Sequence, residues 1–359
     1  MLIDCDVHNH PPSLDQWLEF LDEPYRSEVA RWKGLRHTHS GLRGEGGSRL
    51  DADARTPQSV KEQLLDVYGH RYAILTGTYG FAAATNDPEY AAAVCRAYND
   101  TVIKYWLPQD ERFVMGLAVP MQDPLLAVQE IERLGDHPRV VCVLFWGASN
   151  RIPYGQRYFW PIYEACVRKG LPIHVHPSTT TAVLNHSTTP AGMATTYLEM
   201  HTCLPQYYMA NTVSLIFEGV FELFPALKFA LVEGGFGWAP HLMWRMDKEF
   251  KGLRQQAPRL KRLPSAYLRD HIKFGTQPIE EPQKAAHLPQ LIDMLGGDEM
   301  LMFATDFPHW DFDPPSVLPK SLGESSLRRI LHDNAAEFFR WPKGAFERTC
   351  RPEALAAQA

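Results

Sequence analysis

Val140-Val141-Cys142-Val143-Leu144-Phe145-Trp146 carries no charged side chain over seven positions. A strand with one wet face alternates apolar and polar residues. A run without that alternation is covered on both faces, as the strands of a parallel sheet are. Before it, Asp123-Pro124 opens an amphipathic stretch at 125–134, with the aspartate placed as N-cap and the proline in the first turn. After it, a second helical stretch at 159–169 stops at Gly170. Helix, buried strand and helix in succession form the repeating unit of an α/β fold.

The same alternation runs outward to both ends of the chain. Strands are predicted at 2–8, 72–79, 112–120, 172–178, 227–234, 272–278 and 300–308, which makes eight with 140–146. Helices are predicted at 88–107 behind Asp87, at 195–224 with a break near Pro205, at 283–295 before Gly296-Gly297, and at 327–340. Eight strands separated by helices predict a closed (β/α)8 TIM barrel over residues 1–345, ahead of an open doubly wound sheet. One segment breaks the rhythm. Residues 25–57 are rich in Gly, Arg and Ser and form an irregular insertion after the first strand, either a plain surface insertion or a lid or arm at the barrel mouth. Residues 346–359 read as a tail.

Bulk properties narrow the function. The formal net charge of −6 speaks against a dedicated nucleic-acid binder, which needs a basic surface to displace counterions from phosphates. No basic segment precedes an apolar one at the N-terminus, and no apolar run reaches about 18 residues, so neither a leader nor a membrane span is expected and the cytoplasm is the expected compartment. The six cysteines include no C-x-x-C pair and several sit in apolar runs, which predicts buried thiols rather than a thiolate metal site.

The residues that carry chemistry end strands. In Asp6-Val7-His8-Asn9-His10 a period of two puts His8 and His10 on one side. His174-Val175-His176-Pro177 ends the fifth strand and Thr305-Asp306-Phe307-Pro308 the eighth. Active sites of these barrels sit at the C-terminal ends of the strands, and closure makes the first and eighth strands neighbours. A single histidine at a strand end is more often a hydrogen-bonded polar residue than a ligand, and an aspartate there can cap the next helix. Four such groups on three strand ends make His8, His10, His176 and Asp306 candidate ligands of one divalent ion. Imidazole and carboxylate donors suit zinc first, and also iron or manganese. Asp6 and His174 share that parity one step deeper. With Glu233 they are candidates for a second ion or for support of the first. Tyr79, Trp146, Gln277, His309 and Trp310 are candidate pocket residues. His201 and His241, on helical stretches, are expected at the surface or in support, Cys5 is expected to face away, and Arg245 and Asp247 are expected in structural ion pairs. The aromatic segment Gln206-Tyr207-Tyr208-Met209 would suit a subunit interface.

This order of motifs resembles the amidohydrolase superfamily, and more closely its amidohydrolase-related branch, which includes aminocarboxymuconate-semialdehyde decarboxylase. The resemblance runs from residue 2 to about 341. It is carried by Ile3-Asp4-Cys5-Asp6-Val7-His8-Asn9-His10, by Pro172-Ile173-His174-Val175-His176-Pro177, by Phe221-Glu222-Leu223-Phe224-Pro225-Ala226-Leu227-Lys228-Phe229 followed by Glu233-Gly234-Gly235, and by Thr305-Asp306-Phe307-Pro308. It implies that His8, His10, His176 and Asp306 are the metal ligands. Decarboxylases of the branch carry a catalytic histidine before the glycines after the sixth strand, where this chain has Glu233. Dinuclear members carry a bridging group at the end of the fourth strand, where this chain has Gly147-Ala148-Ser149, so one ion is expected first and Glu233 reopens the count. The leading expectation is a hydrolase in which a metal-activated water attacks a small amide, lactone or other carbonyl compound, with Asp306 or Glu233 accepting the proton. Alternatives are a nonoxidative decarboxylase, an iron or manganese monooxygenase with two ions, and a noncatalytic subunit paired with an active paralogue. The superfamily commonly dimerises, so a homodimer or a heteromer with a paralogous subunit is expected, with a small-molecule substrate and neither nucleic acid nor membrane as partner.

Overall fold

A computed structural model describes residues 1–10, 13–31, 52–77, 85–146, 152–178, 192–342 and 345. Eight strands pair in parallel in their chain order: β1 (Leu2–Val7), β2 (His70–Leu75), β3 (Phe113–Ala118), β4 (Val140–Trp146), β5 (Ile173–His176), β6 (Phe229–Leu231), β7 (Ile272–Gly275) and β8 (Leu301–Met302). The ladder then closes on itself. The Cys5 amide donates to the Phe303 carbonyl at 2.9 Å, the His8 amide donates to the Phe307 carbonyl at 2.8 Å, and Val7 bridges Phe307. An unreversed order with the last strand on the first makes this the predicted (β/α)8 barrel and excludes the open sheet. Most strands stop earlier than predicted, because an apolar run does not mark where ladder hydrogen bonds give way to the loops of the mouth.

Alternation along each strand builds two apolar layers. Val143, Phe145, Ile173, Val175, Phe229 and Phe274 face the helices. Ile3, Cys142, Leu144, Ala230, Val232 and Met302 fill the interior, and Phe338 and Phe339 pack onto them. Arg340 bonds the carbonyls of His137, Val140 and Val141, so the last described segment covers the end of the barrel opposite His176. Cys5 belongs to the inner layer, which corrects the expectation that it faces away. The cause is a register slip in which Asp4 pairs with Ala73 and Val7 with Leu75, three residues against two. A slip of this kind re-aims the side chains beyond it.

The helix signals hold where they rest on capping chemistry. Asp87 accepts the amides of Glu89 and Tyr90, Asp123 accepts those of Leu125 and Leu126, and Gly170 takes the left-handed conformation at φ 63°. The long stretch at 195–224 is three helices, Tyr197–Thr202, Leu204–Phe217 and Val220–Leu223. Helices Tyr25–Arg31 and Pro57–Val60 lie at the two margins of the irregular insertion, whose middle, 32–51, is outside the described residues, as is the tail at 346–359. In the segment expected at an interface, Gln206 is exposed, Tyr207 and Met209 are half-buried and Tyr208 turns inward. Tyr208 is buried with its hydroxyl on the Val232 carbonyl, and the Tyr207 hydroxyl bonds that of Tyr154. Helix periodicity, not aromatic content, sets which face they occupy. Arg245 pairs with Glu249 and Asp247 accepts from Ser265, both structural contacts, and His241 is exposed. Among the described residues the cysteines are free thiols, and no helix is long and apolar enough to cross a membrane.

One buried carboxylate ties the seam. Asp4 accepts the Thr305 amide at 3.0 Å and the Asp6 amide at 3.1 Å through Oδ1, and the Thr305 hydroxyl at 2.6 Å and His70 Nε2 at 3.2 Å through Oδ2. It thus joins β1 to β2 and to the segment after β8. Thr305→Val keeps the volume but removes a buried donor, and is expected to destabilise the protein by about 1–3 kcal/mol. The check is the midpoint of urea unfolding followed by circular dichroism, where an unchanged midpoint would contradict this role for the seam.

Candidate metal centre

At the C-terminal end of the barrel, one donor atom from each of Asp6, His8, His176, Glu233 and Asp306 lies within 4.8 Å of every other. His8 Nε2 is 2.9 Å from Asp306 Oδ1 and 3.4 Å from Asp6 Oδ1. His176 Nε2 is 2.9 Å from Glu233 Oε2 and 3.2 Å from Asp6 Oδ2. Such distances suit hydrogen bonds, yet among the described residues His8 Nε2, His176 Nε2 and Asp6 Oδ2 make none. These buried atoms converge on a shared point rather than pointing at one another. The opposite ring nitrogens explain why. Nδ1 of His8 donates to the Gly77 carbonyl at 2.5 Å, and Nδ1 of His176 donates to the Pro177 carbonyl at 2.6 Å. With one proton held on Nδ1, Nε2 is the nitrogen that must give up its proton to a metal, which leaves the tautomer that ligation requires. Buried polar atoms left without partners cost free energy, and a divalent cation at the shared point would satisfy all of them. The donors are nitrogen and oxygen with no thiolate, a set open to manganese and iron as well as zinc.

The backbone is bent to make this convergence. Glu233 and Asp306 have φ of 56° and 59°, the only positive values at non-glycine positions among the described residues. Each costs on the order of 1–3 kcal/mol and persists only where the surroundings enforce it. Around Glu233, the Tyr208 ring packs so close to Gly234 that a Cβ there would lie 2.5 Å from it. Around Asp306, Gln277 Nε2 donates to Oδ2 at 3.3 Å and His309 Nδ1 donates to Oδ1 at 2.8 Å.

The structure rearranges the expected residues. His8, His176, Asp306, Glu233 and Asp6 come together. His10 does not join them: β1 ends at Val7, the period of two lapses, and the His10 amide bonds the Ala54 carbonyl at 2.9 Å. Asp6 stands in that place, kept beside His8 by the alternation of β1. His174 lies deeper, donating from Nε2 to the Cys5 carbonyl at 2.9 Å with its ring parallel to that of His176, so it supports the cluster without entering it. Trp146 forms a wall 5.0 Å from the His176 ring, and the His309 ring lies 4.2 Å from that of His8. Gln277 links Asp306 to Asp311, with Nε2 2.9 Å from Asp311 Oδ2. Trp310 is half exposed with its edge on His201, and Tyr79 is outside the described residues. His201 and Asp311 form a further donor group with Glu233. Asp311 escaped sequence reasoning, although the acid- and aromatic-rich run His309-Trp310-Asp311-Phe312-Asp313 beyond β8 marks a mouth loop.

The charges explain one another. Burial pushes the Asp6 carboxyl up, but protonated His176 and His8 pull it well below the usual range. Burial likewise opposes ionisation of Asp306, and His309 and His8 outweigh it. Burial lowers His8, yet Asp6 and Asp306 lift it to about 10, and Asp6 and Glu233 raise His176 in the same way. For Asp311, burial reinforced by Asp306 and Glu233 pushes the carboxyl up to about 7. Protons on the histidines thus do the neutralising that a cation would do. A cation must displace them, so its binding releases protons and its affinity falls as pH drops from about 9 to 6, by up to about tenfold per unit for each proton displaced. Titration calorimetry in buffers of differing ionisation enthalpy reads this directly, and a heat independent of buffer would contradict it.

A family model described as amidohydrolase matches residues 3–341. The gamma-resorcylate decarboxylase of Polaromonas sp. is 27% identical over 300 residues, spanning 79% of this chain and 87% of its own. The 2-amino-3-carboxymuconate-6-semialdehyde decarboxylase of Dictyostelium discoideum is 23% identical over 265 residues, 70% of this chain and 67% of its own. Among solved structures, a dihydroxybenzoic acid decarboxylase from Polaromonas sp., with bound manganese and the inhibitor 2-nitroresorcinol, superposes with a TM-score of 0.66 at 21% identity, covering 94% of this chain and 96% of its own. At that identity the likeness speaks for the fold.

Proposed function

This chain belongs to the amidohydrolase family, and from that premise we propose that it is a metal-dependent lyase that removes carbon dioxide, without oxidation, from a small unsaturated carboxylic acid. The observation that carries this reading is the identity of the relatives: decarboxylases match 79% and 70% of the chain. That places decarboxylation ahead of hydrolysis, the reverse of the order suggested by the residues alone. Asp6, His8, His176 and Asp306 would hold the ion. The carboxylate-rich donor set and the manganese in the solved relative favour manganese over zinc.

When bound, the cation supplies a Lewis acid that anchors an anionic substrate and draws electron density from the reacting carbon. The remaining work falls to the chain. Decarboxylation breaks one carbon–carbon bond, releases carbon dioxide and leaves an electron pair on carbon that must take up one proton. In this reading His309 would bring that proton. Its Nδ1 bonds Asp306 at 2.8 Å, which orients the ring, and its side chain is 29% exposed, which lets it recharge from solvent. Gln277 and His309 hold Asp306 from two sides, and Trp146 walls the site beside His176.

The test is a panel of hydroxylated benzoic acids and conjugated diacids offered to manganese-loaded protein, with released carbon dioxide measured. Carbon dioxide equal to the substrate consumed is the expected result. His8→Ala should lose both metal and activity. His309→Ala should keep its metal and lose about 10²–10⁴-fold in kcat; an unchanged kcat would remove His309 from the reaction. Hydrolysis remains a second reading because Glu233 puts a proton-accepting carboxylate where the branch's decarboxylases have a histidine. Its mark would be consumption of an amide or lactone with oxygen from water in the product and no carbon dioxide.

A further inference from the structure

We propose that the mouth of the barrel binds a second divalent cation, through His201, Glu233 and Asp311, with Glu233 bridging it to the first; this rests on the metal-centre reading above. One donor atom from each of the three lies within 4.8 Å of the others, and each comes from a different part of the chain: the helix Tyr197–Thr202, the turn after β6 and the loop after β8. His201 Nε2 is 3.3 Å from Glu233 Oε1 and 3.5 Å from Asp311 Oδ2. Its ring stacks on Tyr197 at 5.4 Å and meets Trp310 edge-on at 5.6 Å, which holds it in place.

Glu233 divides its two oxygens between the donor sets. Oε2 lies 2.9 Å from His176, in the first set, and Oε1 faces His201, in the second. A carboxylate so placed is arranged as a bridge, and two-metal sites hold their ions about 3.5–4 Å apart. Gln277 strengthens the link, since its Nε2 donates to Asp306 of the first set and Asp311 of the second, while its fully buried Oε1 has no hydrogen-bond partner among the described residues. Charge points the same way. The two sets contain four carboxylates, Asp6, Glu233, Asp306 and Asp311, in a largely buried space. Uncompensated buried charge is expensive, and once ligation ionises Asp311 one divalent ion would neutralise only half of it. A second removes the remainder with the imidazoles neutral, as ligation requires. His201 and Asp311 thus take the part that sequence reading gave to Asp6 and His174. One imidazole and two carboxylates suit a divalent first-row cation.

The test strips the full chain with a chelator, reloads it with manganese(II), removes the excess, and counts metal by plasma mass spectrometry alongside electron paramagnetic resonance. Two ions per chain with an exchange-coupled spectrum are expected. His201→Ala and Asp311→Asn should each hold one ion and show the six-line pattern of an isolated centre. Circular dichroism confirms folding, and if His201→Ala fails to fold, Asp311→Asn, nearly equal in volume, decides. One ion in the unaltered chain, unchanged in the variants, would overturn the second site and leave the first standing. No bound ion at all would overturn both.

Discussion

Charge without water is the constraint on which the rest of this structure depends. Closing eight strands into a cylinder brings Asp6, Glu233 and Asp306 into a space where each is at most 7% exposed, with the rings of His8 and His176 among them. Carboxylates in such a place must be neutralised by protons, by cations or by both. The imidazoles resolve the choice through their other nitrogens. Because Nδ1 of each is already committed to a backbone carbonyl, the Nε2 atoms are kept for whatever occupies the shared point.

The barrel seam and this cluster are one piece of engineering in physical terms. Asp4 holds the Thr305 amide and hydroxyl, and the next residue is Asp306, turned through a left-handed conformation toward the axis. Stability of the seam is therefore what supports the strained position of a candidate ligand. The same logic holds at β6, where Tyr208 packs beneath the turn that carries Glu233. Both strained residues fall at the mouth, where a barrel can store strain because the strands beneath are packed on both faces.

The chain keeps the amidohydrolase scaffold. At the position where the resemblance to the branch's decarboxylases implies a histidine it carries Glu233, which faces His176 on one side and His201 on the other. Barrels accommodate such changes because the mouth is built from separate loops on a shared frame, so chemistry can shift without disturbing the fold.

Much of this was legible in the linear order of residues. Apolar runs, capping aspartates and the glycine at 170 marked the eight strands and several of the helices, because these depend on local chemistry that acts within a few positions, but the helices Ala239–Leu253 and Pro264–His271 carry no such signal at their starts and were not read. His8, His176 and Asp306 were legible as well, since each ends a strand whose direction is set by the fold. What only the tertiary structure decided was which neighbours entered the cluster. β1 ends at Val7, so His10 falls outside the alternation that keeps Asp6 beside His8, and no pattern in the sequence marks where the strand stops. His201 and Asp311 reach the site from a helix and a loop, and their positions depend on how those segments pack over the mouth. Alternation along a strand is a local property and can be read from one chain segment; convergence of side chains from several segments is a property of the closed cylinder, and it exists only once the eighth strand has met the first.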